Sequence, residues 1–286
     1  MSTRALVATD LSDASMMMVE NLSLLHDFQV ESIILLQCYE YPQVADELYP
    51  VYTDLQKETL QRQEELLRER GFTIKVETSF GHAKQEIRRI AAEQDVSLIV
   101  VGSQGRSLLG GAFLGGVAFE VMLHTPRPLL IYRLLVDKMA TLKPSPVHPD
   151  GILSHPLFAV DFSSANRKAF DHFLLMVSTQ RCRKVTLVHV VDPTKDLDEE
   201  MKTIARQRLT ALEDEVRSVG VPEVESAVLS GHAHKKLLDV IDTDEISLAV
   251  LGTVGHTFLH EVFAGSVSQY VARHAGKPIY LIPHMD

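Results

Sequence analysis

Cysteine is scarce in this sequence: the two present, Cys38 and Cys182, lie within or beside apolar runs that read as strands. That placement fits reduced thiols in a cytosolic protein better than a disulfide framework. Uninterrupted apolar runs are short too, and none reaches the roughly 18 residues of a membrane-spanning helix. The opening segment, Met1 to Leu11, carries Asp10 in its apolar run and fits neither a secretory leader nor an anchor. Positive charge is also in deficit, with 28 Lys and Arg against 38 Asp and Glu and a formal net charge of −10. Nucleic-acid affinity rests largely on clustered cations, so neither nucleic acid nor membrane is an expected partner, and the expected location is cytoplasmic. A small anion is not excluded, because backbone amides at a helix start hold phosphate without side-chain charge.

What the sequence does contain is written twice. Gly81-His82-Ala83 through Arg133 aligns without a gap on Gly231-His232-Ala233 through Pro283, at an offset of 150 residues. Gly102, Gly105, Gly115, His124 and Pro128 then match Gly252, Gly255, Gly265, His274 and Pro278. The front halves correspond as well, Ala8-Thr9-Asp10-Leu11-Ser12 against Ala159-Val160-Asp161-Phe162-Ser163. Three prolines and a glycine between Lys143 and Gly151 have the composition of a linker. The expected division is a first domain over 1–137, a linker over 138–155 and a second domain over 156–286.

Each copy has the same layout. Strands are expected at Ala5 to Thr9, Ser32 to Cys38, Thr73 to Ser79, Leu98 to Val101 and Leu129 to Tyr132. In the second copy they fall at Leu157 to Val160, Lys184 to Val191, Glu223 to Leu229, Leu248 to Leu251 and Ile279 to Ile282. Helices alternate with them: Asp13 to Phe28 or Ala165 to Val177, then Asp54 to Arg70 or Asp196 to Val219, then Lys84 to Gln94 or His234 to Ile241. Gly71 and Gly220 close the long charged helices where a C-cap belongs. The alternation implies an α/β fold in which each copy is an open, mainly parallel five-stranded sheet flanked by helices.

The motif that bears on function is Gly252-Thr-Val-Gly255, nine intervening residues, then Gly265-Ser266-Val267, directly after a buried strand. Glycines suit a backbone that must approach phosphate closely, and the helix that follows offers amides at its start. Ser266 at that start could bond a phosphate oxygen or cap the helix. No Gly-Lys-Ser/Thr ending marks a P-loop, and the turn after strand 1 lacks the Gly-x-Gly-x-x-Gly of a dinucleotide fold. With the Asp ending strand 1, the apolar strand 2, the Gly-His-Ala turn and the spaced glycines, all in order and repeated, the chain resembles the ATP-binding branch of the universal stress protein family as a tandem member.

That resemblance implies a Rossmann-like, adenine nucleotide hydrolase-like fold with ATP as the ligand, with magnesium or with AMP or ADP as alternatives. It implies that Asp161 lies by the adenosine and that the backbone near Val190 meets the adenine. Gly252, Gly255, Gly265 and Ser266 would surround the phosphates, with Ala159, Val160, Leu251 and Val267 beside them. In the first copy Asp10, Gly102, Gly105, Gly115 and Gly116 hold the matching positions, and Gly116 replaces the serine. Loss of one hydrogen bond to a charged group costs on the order of 1.5–3 kcal/mol, roughly ten- to a hundred-fold in affinity. Arg106, where the second copy has His256, could partly compensate.

Asp10 and Asp161 could also serve the strand-to-helix turn. The 13 histidines are scattered, so no Ser-His-Asp relay, catalytic residue or metal site is expected, and at most weak ATPase activity. The expected function is a nucleotide-binding stress-response or signalling protein whose nucleotide state tunes conformation or a regulatory protein partner. The alternatives are a nucleotide-free scaffold or a slow ATP hydrolase. The resemblance further implies an intramolecular pseudo-dimer through the last strands, with further homodimerisation as an option.

Overall fold

The computed structural model describes residues 3–39, 49–104, 114–125, 127–136, 141–146, 148–178, 181–191, 199–253 and 265–284. The chain divides into two compact units, Met1–Pro144 and Ser145–Asp286.

In the first unit the strands are β1 (Thr3–Thr9), β2 (Val30–Tyr39), β3 (Thr73–Phe80), β4 (Leu98–Gly102) and β5 (Leu129–Tyr132). The helices are α1 (Asp13–Glu20), α2 (Tyr49–Glu69), α3 (Ala83–Glu93) and α4 (Gly116–His124). All five strands are parallel, in the order β3-β2-β1-β4-β5. Central strands read as continuous apolar runs because helices cover both faces, and Ala5, Leu6, Val7, Ile99 and Val100 are wholly buried. The long α2 is charged outside and presents Leu60, Gln63 and Leu67 inward at helical spacing. Burying each such leucine stabilises the fold by about 1.5–3 kcal/mol.

The one long helix expected over 13–28 is broken. Asn21 donates from its side chain to the Met17 carbonyl at 2.8 Å, and its amide reaches only to Met18, which tightens the chain into a 3₁₀ helix over Leu22–Phe28. Gly71 does close α2, at φ +90°, with its amide on the Arg68 carbonyl at 2.9 Å. Beyond β5, at the end of the expected first domain, β6 (Leu134–Val136) forms an antiparallel pair with β7 (Leu142–Pro144), which lies in the expected linker, and β7 packs on α1.

The second unit repeats the plan. Its strands are β8 (Pro156–Val160), β9 (Lys184–Val191), β10 (Glu223–Ser230), β11 (Leu248–Gly252) and β12 (Ile279–Ile282). Its helices are α5 (Ser164–Val177), α6 (Glu199–Ser218), α7 (Ala233–Ile241) and α8 (Ser266–His274). The order is β10-β9-β8-β11-β12, again all parallel. Phe158 of β8 packs against Phe170 and Phe173 of α5, with ring centroids 5.3 and 4.9 Å away. The expected linker also reaches into this core, since Ile152 and Leu153 are fully buried. Apolar side chains in a polar stretch seal the sheet's lower end.

At that lower end His155 is only 6% exposed, and its Nε2 lies 2.8 Å from Thr186 Oγ1. Burial first, and the nearby Lys184 charge second, hold its imidazole below the ordinary value of 6.5. The unfolded chain therefore takes up a proton at a pH where the folded unit does not. Stability should be full above about pH 6.5 and fall as the pH drops below it. Denaturant midpoints measured from pH 7.5 to pH 5 should show this decline, and His155→Gln, which keeps a donor but cannot titrate, should reduce it, leaving the part contributed by His172, which burial also holds below its ordinary value.

Candidate functional site

A sheet in this order reverses direction between β8 and β11, and between β1 and β4, and open α/β sheets bind ligands outside the carboxyl ends of strands at such a switch point. Right-handed crossovers place α5 and α6 on one face and α7 and α8 on the other. Phe158 faces α5, so by the two-residue period Ala159 and the following Asp161 face the α7 and α8 side. Ala159 is level with Val188, and Val250 with Phe158, which puts Val190 and Leu251 on that same side. Four of the expected residues thus converge on one edge. Val160 does not join them: its side chain points to the α5 face, where it meets Phe170 and Leu212.

Asp161 ends β8 in a tight turn. Its Oδ1 accepts from the Ser163 amide at 2.8 Å, which holds Phe162 at φ +62°, a conformation that costs a non-glycine residue roughly 1–2 kcal/mol. Ser163 then caps α5 by accepting from the Asn166 amide at 3.1 Å. The first unit builds the same device, with Asp10 Oδ1 accepting from the Ser12 amide at 3.0 Å and Leu11 at φ +61°. The aspartates are therefore turn-makers and the serines two residues on are the caps. Each carboxylate stands at the switch point as well.

The glycine loops are closed at the neck. Gly265 donates to the Thr253 carbonyl at 2.5 Å and Gly115 to the Ser103 carbonyl at 2.8 Å, so each loop leaves and rejoins the end of β11 or β4. Gly105 and Gly255, with Arg106 and His256, lie outside the described residues. Gly265 is the N-cap of α8 and Gly115 that of α4, and neither helix start has a side-chain cap or an acidic first turn. Ser266 and Gly116 are the first residues inside these helices, and Val267 follows in the same turn. Ser266 does not cap the helix. Among the described residues no side chain caps the first-turn amides of α8.

Further down the same face, the ring of His234 lies tilted against Tyr270 at 4.4 Å, and Tyr270 stacks on His274 at 4.0 Å. The first unit has Lys84 paired with Glu120 at 3.3 Å in the matching place. Among the described residues no three His, Cys, Asp or Glu side chains come together as a metal site. No described helix is long and apolar enough to cross a membrane.

Two parallel, doubly covered five-stranded sheets with a glycine loop at each switch point define a duplicated Rossmann-like α/β protein. The profile of the universal stress protein family matches residues 1–133 and again 155–283, and the chain belongs to that family. It is 21% identical over 151 residues to a universal stress protein of Methanocaldococcus jannaschii, covering 44% of this chain and 92% of the relative. Its fold is similar to that of a universal stress protein from Archaeoglobus fulgidus, with TM-score 0.73, 21% identity, and coverage of 99% of this chain and 97% of the other. A putative universal stress protein from Pseudomonas aeruginosa gives TM-score 0.65 at 16% identity, covering 99% and 94% of the two chains.

The turn geometry sets an expectation for Asp161. Asp161→Ala removes the acceptor that holds Phe162 and should cost about 0.5–1.5 kcal/mol of stability, whereas Asp161→Asn keeps an acceptor oxygen and should stay within about 0.5 kcal/mol of wild type. Denaturant titration of the two variants side by side measures this.

Proposed function

We propose that the second unit binds an adenine nucleotide, with ATP as the leading ligand, at the carboxyl edge between β8 and β11. The observation that carries this reading is the start of α8: a helix opening on Gly265 with no side-chain cap, at the end of a glycine loop and at the topological switch point. Partial positive charge and the first-turn amides gather there, as phosphate binding requires. Ser266, exposed at the first helical position, adds a hydroxyl donor. Asp161 on the same face is suited to accept from ribose hydroxyls, and the apolar Val190 and Leu251 to flank a base.

The first unit offers the same amides without the hydroxyl. In this reading it binds more weakly, and the nucleotide state of the two sites tunes the conformation or partner choice of a cytoplasmic stress-response protein. Magnesium would accompany the phosphates. Among the described residues no side chain is placed as a base toward a phosphate at this edge, and binding is the activity proposed.

Two measurements test this. Calorimetry with ATP, AMP and cAMP is the first, with cAMP chosen because a solved universal stress protein is described in complex with it. ATP should titrate two unequal sites. A β-carbon at Gly116 would meet nothing within 4 Å, so Gly116→Ser should fold normally and strengthen the weaker site by about 1 kcal/mol or more, roughly five-fold. Two equal sites in the wild type would sink the asymmetry.

The second measurement separates the carboxylate's two roles. Asp161→Asn keeps the turn but removes the charge, and should weaken ATP binding at the second site roughly ten-fold while leaving stability in place. Unchanged affinity in that variant would remove Asp161 from the site.

A further inference from the structure

The second unit carries a pocket on the sheet face opposite the one just described. Val160 forms its floor, Phe162, Phe170 and Leu212 its walls, and its volume is about 240 Å³. Across the Phe162 ring lies the guanidinium of Arg208, 4.1 Å from the ring centroid. Arg167 stands at the rim but is already engaged by Glu215 at 2.6 Å and Asp171 at 2.5 Å. Arg208 differs: among the described residues no carboxylate lies within ion-pair distance of it. A guanidinium held over a ring keeps N–H donors with which to bind a carboxylate.

The first unit shows that this pocket is not a by-product of the fold. α2 and α6 share a register in which Leu60 and Leu67 correspond to Leu209 and Val216, all buried, ahead of Gly71 and Gly220. In that register Gln63 stands where Leu212 does, and Thr59 where Arg208 does. Gln63 is fully buried and donates to Ser15 Oγ at 3.3 Å, to which Thr9 donates in turn at 3.1 Å. A polar side chain thus plugs the cleft between α1 and α2. Leu212 makes no such bridge and is partly exposed, so the cleft between α5 and α6 stays open, lined by Val160, Phe162, Phe170, Ala211 and Leu212 together with the polar Ser163 and Asn166.

We propose that this pocket binds a small monocarboxylate with an apolar tail. Its carboxylate pairs with Arg208, and the tail lies against Val160, Phe170 and Leu212. One cation with no carboxylate partner among the described residues, beside mainly apolar walls, matches one negative charge; a dianionic phosphate would leave charge unpaired against those walls. The volume is below the roughly 300 Å³ at which drug-sized sites begin, which sets a short tail. The site lies across the sheet from Asp161 and does not rest on the nucleotide reading.

Octanoate serves as the probe, with 1-octanol as the neutral control of equal tail length, titrated into the full chain by calorimetry. Octanoate should bind saturably, and octanol at least about ten-fold more weakly. Arg208 is exposed, so Arg208→Gln should fold with an unchanged thermal midpoint and lose about ten-fold or more in octanoate affinity. Leu212→Gln should lose as much by introducing the plug of the first unit. Absent saturable binding, equal affinity for octanol, or an Arg208→Gln variant that binds as wild type would each overturn the proposal. Competitive displacement of octanoate by ATP would also overturn it, by assigning the pocket to the nucleotide. A chain that binds octanoate and no ATP would leave this proposal standing and remove the nucleotide reading alone.

Discussion

The hydrogen bond from the Ser163 amide to Asp161 Oδ1, 2.8 Å long, holds the chain in the left-handed turn that parts strand from helix at the centre of the second sheet. Much follows from it. With the turn held, Phe162 swings toward α6, Asp161 stays on the opposite face, and Ser163 arrives where it can cap α5. Asn166 braces the same turn from inside the helix, accepting from the Asp161 amide at 3.2 Å and donating to the Ala159 carbonyl at 3.0 Å. One carboxylate oxygen thereby sets the geometry of both faces of the sheet. The equivalent bond at Asp10 does so in the first unit, although Ser15 and Gln63 have turned the space beyond it into a closed polar network.

The two units share a backbone plan and differ in what each plan encloses. Where the first has a glycine at the start of α4, the second has Ser266 at the start of α8. The ion pair Lys84–Glu120 between α3 and α4 gives way to the contact of His234 with Tyr270 between α7 and α8. An exposed ion pair of that kind contributes at most about 1 kcal/mol, so exchanging it for a ring contact costs the fold little. Duplication freed each half to change side chains at equivalent places while the buried strands held the sheet. Both proposed ligand sites rest on side chains that the second unit has and the first lacks: Ser266 on one face, Arg208 and Leu212 on the other.

Legibility in the sequence followed physical range. Strands such as Leu129–Tyr132 and Ile279–Ile282 were readable to the residue because a doubly covered strand must be apolar throughout. Gly71 and Gly220 were readable because the left-handed helix end they supply is a local requirement. The β6–β7 pair was not, since β7 ends in Lys143 and Pro144 at the start of a proline-rich stretch that reads as linker, and its pairing depends on what lies next to it. Nor was the Asn21 break, which rests on a single side-chain bond. The direction of Val160 was available from the two-residue period once Asp161 was set on one face, but a motif read as a string of neighbours hides that alternation. The pocket at Phe162 was invisible, because it joins residues about 40 positions apart through the register of α6 against α5.

Because Asp161 and Phe162 are adjacent, it matters whether the proposed sites on the two faces would communicate. Coupling between sites requires an element with two accessible arrangements that both ligands bias. The turn between them has three restraints on one arrangement: the Asp161–Ser163 bond, the Ser163 cap, and the two bonds of Asn166. Abandoning it would relieve about 1–2 kcal/mol of left-handed strain at Phe162 but forfeit several hydrogen bonds of about 1 kcal/mol each, Asn166 being buried. The balance favours a fixed turn. A ligand on the α8 face then has no alternative state of Phe162 to select, and a ligand against Phe162 has none of Asp161, so the two faces would fill independently while sharing a single structural support.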